Sequence, residues 1–229
     1  MTEPDVPRLS SAYLEDLAYI VLTADPRDTR FDLYPDLTDD VRSRLRSRLK
    51  QLARYDWPSS LREDPSLRRG YTLRQCCRLI VALLLIDTHL PPGLAIALIR
   101  NNESSFLRAI AARLAEPDRL EAGRKDLMAV LLPGEIRDAL PANDPDQDAR
   151  RVMYLIERER MADLWADRLA SAGARLVIDV STAAAAMWRW VSNRRLMDDI
   201  GRISLIRDIE NASDEPGFMK VMETAIRKH

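Results

Sequence analysis

The chain is short of the residues from which most active sites are built. It has two histidines, His89 and His229, and two cysteines, adjacent at Cys76 and Cys77. Neighbouring cysteines seldom bridge each other, and a metal site needs more ligands at wider spacing, so neither a disulfide framework nor a metal site is expected. Seven glycines in 229 residues leave little material for a phosphate-cradling loop. No Walker-type loop, Rossmann fingerprint or Gly-x-Ser-x-Gly elbow occurs. Long hydrophobic runs are missing too. The most apolar stretch, Leu79 to Ile99, is broken by Asp87, Thr88, His89, Pro91 and Pro92, and each half is far short of the roughly 20 residues that span a bilayer. The acidic N-terminus carries no apolar signal-peptide core. These absences predict a non-enzymatic, cytoplasmic protein with reduced cysteines, no cofactor and no membrane span.

What the chain has is helix-forming material. It is 46% hydrophobic and 31% charged, so it can bury a core. Ala, Leu and Arg are abundant, and these residues lose little on entering a helix. Ser10 or Ser11 is placed to cap a helix reaching about Thr23, with Leu14, Leu17, Ile20 and Val21 on one face. Thr38 caps a second, with Asp39 and Asp40 in its first turn, where the helix dipole favours anions. Thr72 caps a third, Leu73 to about Asp87, apolar on most sides and so central. Pro91 and Pro92 begin a short helix through Arg100, and Asn102 or Ser104 begins another to about Leu114. Residues 117–132 read as one broken helix or two short ones. A long helix is expected from Asp146 to about Ala172. Arg175 to Val180 is the strong strand candidate, since β-branched residues crowd there. A helix from Thr182 to about Met197, a strand or helix at Ile203 to Ile209, and a last helix from about Pro216 to Lys228 complete the reading.

The expected fold is therefore mainly α. Residues 133–145, rich in Pro and Asp, read as a linker. They separate an N-terminal helical domain, 1–132, from a C-terminal helical domain, 146–229, that carries one or two short strands and serves dimerisation or partner binding.

A net charge of −1 conceals a strong asymmetry. Residues 1–40 carry a net −7, residues 41–78 a net +8. Within the basic segment Val41, Leu45, Leu49 and Leu52 recur at three- and four-residue spacing and make an apolar stripe. Arg42, Arg44, Arg46, Arg48 and Lys50 fall between them, on what the pattern makes a solvent face. Arg54 and, further on, Arg62, Arg68, Arg69 and Arg74 extend the basic run. Closely spaced cations on one helix suit contacts to successive phosphates, and Arg also reads guanine edges. The rival reading is a salt-bridge layer between this helix and the acidic first 40 residues.

From Leu49 to Leu98 the order is a helix, Arg54-Tyr55-Asp56-Trp57-Pro58, Arg62, then Arg68-Arg69-Gly70-Tyr71, a long apolar helix, a turn and a short helix. This resembles the DNA-binding half of MerR-type regulators, in which a recognition helix ends near an Arg-Tyr pair and a wing with a Gly-Tyr element follows. The resemblance implies a winged-helix-like module over about residues 38–100. Arg42 to Arg54 would lie on the groove-facing helix, with Arg68, Arg69 and Tyr71 as wing residues at the DNA backbone.

The leading expectation is a DNA-binding transcriptional regulator that contacts double-stranded DNA through this helix and wing. A homodimer is expected because operators are read by symmetric dimers, with a protein partner for the C-terminal domain. The rival is a non-enzymatic protein-interaction adaptor whose Arg-rich face binds acidic protein surfaces. Trp188 and Trp190 are candidates for its interface, or for ordinary core packing. His89 reads as a turn residue, and Asp179, at a strand end, as structural rather than metal-binding. Glu157, Glu159 and Asp163 alternate with Arg158 and Arg160 in what reads as a solvated helix face.

Overall fold

The computed structural model describes residues 8–24, 35–58, 70–116, 126–131, 153–162 and 176–213. The order is β1 (Arg8–Leu9), α1 (Ser11–Leu22), α2 (Asp39–Ala53), β2 (Tyr71–Thr72), α3 (Leu73–Asp87), α4 (Pro92–Leu114), β3 (Leu127–Leu131), β4 (Met153–Glu157), a 3-10 turn at Arg158–Arg160, β5 (Leu176–Ile178), α5 (Val180–Asn193) and α6 (Asp199–Ser213). The described chain is mainly helical, as its composition predicts.

The helix starts follow from side chains that compete for the free N–H groups of the first turn. Ser10, Thr38 and Thr72 cap α1, α2 and α3, and at α3 Gln75 completes a capping box by returning a hydrogen bond from the Thr72 N–H. With so little glycine, other residues take the left-handed conformation that reverses a chain at a helix end. Asp56 (φ 53°) follows α2, His89 (φ 68°) follows α3 and Arg195 (φ 53°) follows α5. Asn102 marks where two short helices were expected to meet. The helix runs on through it with a kink (φ −133°, ψ 19°), and the Asn102 amide donates to the Leu98 carbonyl at 2.8 Å. A side chain that takes a carbonyl from the helix ladder disturbs the ladder there.

Two expectations fail. Residues 127–131 form a strand rather than helix, and so do 153–157. Together with β5 they make a three-stranded antiparallel sheet in the order β4-β3-β5, with Leu127 opposite Glu157 and Ala129 opposite both Leu155 and Ile178. β3 lies at its centre, with Ala129, Val130 and Leu131 fully buried. A strand covered on both faces loses the polar–apolar alternation that identifies strands, and Leu, Met and Ala are good helix formers. The strand expected at 175–180 is present as β5, and the ambiguous segment at 203–209 is helix α6. Residues 133–145 and the last helix expected at 216–228 lie outside the described residues.

One continuous core joins the two sides of the expected domain boundary. It runs from Leu9 in β1 to Ile209 in α6, and α5 packs on α1 and α4 while α6 packs on α4. The described elements on either side of 133–145 therefore share one core rather than dividing between two. Ala183 to Ala186 are buried, and their small side chains let α5 approach its neighbours closely. Trp188 and Trp190, considered above for an interface, belong to this core. Trp190 is fully buried and meets Tyr13 of α1 edge-on, with ring centroids 5.8 Å apart.

Candidate nucleic-acid interface

The helix that carries the basic run, α2, turns 100° per residue, and its apolar stripe fixes where every charge points. Leu45 and Leu52 are buried, and Val41 and Leu49 half-buried. Arg42 and Arg48 fall on the two borders of that stripe. Ser43, Ser47, Lys50 and Arg54 lie opposite it, and all four are exposed. Arg44 and Arg46 flank them.

The border positions face other helices. On one side Arg42 reaches Glu15 at 3.5 Å and Asp16 at 3.4 Å, and Arg46 Nε donates to Glu15 at 2.6 Å. Glu15 is buried in α1, and Asp16 also receives Arg194, the C-cap of α5, at 3.1 Å. A hydrogen bond to Glu15, and then its charge, push the Arg46 pKa further up. On the other side Arg48 meets Asp87, the last residue of α3, at 2.7 Å. Arg44 pairs with Asp40 one turn back on the same helix, also at 2.7 Å. Both of those side chains are mostly exposed, so the pair adds little to stability.

The expected solvent face of five cations is thus divided. Arg42 and Arg46 tie α2 to α1, as the rival reading of a salt-bridge layer with the first 40 residues anticipated, and Arg48 ties it to Asp87 at the end of α3, which that reading did not include. Lys50 and Arg54 point outward beside Ser43 and Ser47. From Ser43 to Arg54 the outward positions Ser43, Ser47, Lys50 and Arg54 are cation and hydroxyl, with Asp39 on the same side in the first turn of the helix. The two serines were passed over in the sequence because neither is charged. The helical wheel built on the apolar stripe already places them.

Tyr55 lies in the turn that follows α2. It is half exposed and packs over the first turn of α4, where a Cβ on Gly93 would lie 3.1 Å from its ring. Next to it Trp57 is buried, and its indole N–H donates to the Arg78 carbonyl at 3.3 Å. The Arg78 guanidinium lies 4.4 Å from the Trp57 ring centroid, and that of Arg100 lies 5.9 Å away. Arg78 pairs with Glu103: Nη2 donates to Oε2 at 3.1 Å, and Nε lies 3.1 Å from Oε1 without a hydrogen bond to it. Burial lowers the Arg78 pKa, and Arg74 and Arg100 add to that, while Glu103 opposes it.

Of the residues expected in a wing, Arg62, Arg68 and Arg69 lie outside the described residues, and Gly70 and Tyr71 lie within them. Gly70 (φ 110°) adopts a conformation open to glycine, and a Cβ there would fall 2.6 Å from the Leu9 carbonyl oxygen. Tyr71 follows in β2 and pairs with Leu9 of β1, so its strand partner comes from the N-terminus. Tyr71 is half-buried, and burial raises its phenol pKa. Arg74 is half-buried in the first turn of α3.

The other polar cluster has a structural explanation. Asp179 caps α5, accepting from the Thr182 N–H at 2.9 Å and the Thr182 hydroxyl at 2.6 Å, and it pairs with Arg158. Arg158 and Glu157 therefore stand at the end of a strand rather than on a solvated helix. Among the described residues no group of three His, Cys, Asp or Glu side chains gathers as a metal site requires. No described helix is long and apolar enough to cross a membrane. His89 occupies the turn after α3, its N–H donating to the Ile86 carbonyl at 2.9 Å.

Family models, curated proteins and solved structures were all compared with the chain, and none of them matches it.

Proposed function

We propose that this chain is a non-enzymatic DNA-binding protein, a regulator by class, that holds duplex DNA through the outward face of α2. The carrying observation is the composition of that face: exposed Ser43, Ser47, Lys50 and Arg54, with Arg44 alongside and no carboxylate from residue 41 to 55. Cations and hydroxyls in that pattern suit phosphate contacts, which position a protein on duplex DNA. Arg42, Arg46 and Arg48 leave the contacting set, because carboxylates on α1 and α3 already hold them. They fix the angle at which α2 presents its outer face. A winged-helix-like arrangement, with Tyr71 on the β1–β2 ribbon as a wing residue, and a homodimer reading a symmetric site belong to the same proposal.

The test is binding of a generic duplex, followed by fluorescence anisotropy as salt is raised. Binding at low salt with a steep decline is expected. Lys50→Gln/Arg54→Gln should reduce the log–log salt slope by roughly 2, at about 0.9 per phosphate contact. Absence of binding to any duplex at low salt refutes the proposal.

A specific observation favours a second reading, the protein-interaction adaptor. The basic helix already binds carboxylates of its own chain at Glu15, Asp16 and Asp87, and an acidic protein surface offers the same chemistry. Ile200 and Ile203, one turn apart on α6, are 78% and 49% exposed, as a contact with another protein allows. Failure to bind duplex DNA together with salt-sensitive binding of an acidic polypeptide such as polyglutamate supports this reading.

A further inference from the structure

The basic surface does not end with α2. Arg74 and Arg78 stand four residues apart in α3, and so on one face of that helix. Arg78 and Arg100 of α4 both approach the ring of Trp57, at 4.4 and 5.9 Å. Two guanidinium groups from two helices therefore meet at one indole, and Arg74, one turn before Arg78 on α3, adds its charge to that of Arg78. Glu103 pairs with Arg78, which donates from Nη2 to its Oε2 at 3.1 Å. Arg100 precedes Glu103 by three residues, but the kink at Asn102 falls between them and breaks the regular spacing on which an i,i+3 pair depends. Among the described residues neither Arg74 nor Arg100 has an ion-pair partner. Arg100 is exposed and Arg74 half-exposed, so both are open to solvent. Gathering like charges costs stability, and a bound anion offsets that cost.

We infer that Arg74, Arg78 and Arg100 form an anion site beside Trp57, which takes a phosphate group of the DNA backbone next to the α2 contact. Arg74 stands in the sequence-predicted set, whereas Arg78 and Arg100 do not. Trp57 supplies a rigid apolar platform that holds two of the guanidinium groups by cation–π contact. Arg78, gripped by Glu103, anchors the group, and Arg74 and Arg100 supply the open donors. The Trp57 backbone N–H donates to the Leu52 carbonyl at 3.3 Å, so this cluster adjoins the last turn of α2, with Asp56 between Tyr55 and Trp57 in the chain. One duplex lying along α2 thus meets a second set of phosphate contacts at the α3–α4 surface.

The inference rests on the DNA-binding reading for the identity of the ligand but not for the existence of the site. Two measurements on the full chain separate the two. Duplex binding is followed against salt for the wild type, for Arg74→Gln/Arg100→Gln and for Lys50→Gln/Arg54→Gln. The site predicts a loss of about 2 in slope for the Arg74/Arg100 variant, on top of the α2 contribution. In parallel, inorganic pyrophosphate is titrated while tryptophan emission is recorded, with Trp57→Phe as the control that isolates Trp57. A saturable change is expected in the wild type and none in Arg74→Gln/Arg100→Gln. Wild-type duplex binding with an unchanged slope in the Arg74/Arg100 variant overturns the inference and leaves the α2 reading standing. No duplex binding, but a Trp57 response to pyrophosphate that the variant loses, supports the anion site and refutes the DNA reading. No duplex binding and no pyrophosphate response overturns both.

Discussion

Single residues carry several of this fold's constraints. Gly70 has a φ of 110° and leaves 2.6 Å between a hypothetical Cβ and the Leu9 carbonyl, so Gly70→Ala should cost about 1–3 kcal/mol and loosen the β1–β2 ribbon. Arg195 is the converse case, a bulky residue held at φ 53° after α5. Arg195→Gly should stabilise the chain by up to about 1 kcal/mol. Denaturant unfolding of the two variants checks both signs. Glu15 is buried and accepts from Arg42 and Arg46. Glu15→Gln keeps its shape and removes the charge from two charged hydrogen bonds, so a loss of about 2 kcal/mol is expected in the same experiment. An unchanged midpoint would show that the α1–α2 charge layer contributes nothing to the fold.

Cys76 and Cys77 are buried side by side in α3. Burial pushes both thiols up, that of Cys77 from 9.0 to about 12. A raised pKa in the fold means that the unfolded chain loses its thiol proton first. The associated stability is therefore complete below pH 9 and is lost as pH rises from there toward 12. Unfolding midpoints measured from pH 8 to 11 should fall with this dependence, and Cys77→Ala should flatten it. Both thiols should also resist maleimide at neutral pH until the chain unfolds. Rapid labelling of the native protein would contradict this burial.

At the scale of elements, the helices were legible where a cap and a periodic stripe coincided. Ser10, Thr38 and Thr72 cap the helices they were expected to cap, and Leu45 and Leu52 lie on the buried side of α2. β3 and β4 were not legible. β3 is mostly helix-favouring Leu, Met and Ala, β4 mixes Met, Leu and Glu with Tyr and Ile, and pairing between residues 127 and 157 is a long-range event that no local window contains. The same limit applies to the basic helix. Its stripe separates charge from core, but whether a border arginine meets water or a carboxylate depends on which helix packs beside it. Glu15, Asp16 and Asp87 decide that for Arg42, Arg46 and Arg48. The cluster around Trp57 was illegible for a related reason, because Arg100 comes from a different helix, 43 residues on.

For the whole molecule, the acidic head and the basic segment turn out to be partly joined, which explains how −7 and +8 coexist in one small chain. The central claim is a division of the basic residues into a set that holds α2 in place and a set that faces outward. Salt dependence of duplex binding tests it most directly, comparing Lys50→Gln/Arg54→Gln with Arg42→Gln/Arg46→Gln in folded protein. The account predicts a slope flatter by roughly 2 for the first pair and unchanged for the second. A flattened slope for the second pair with none for the first would contradict it.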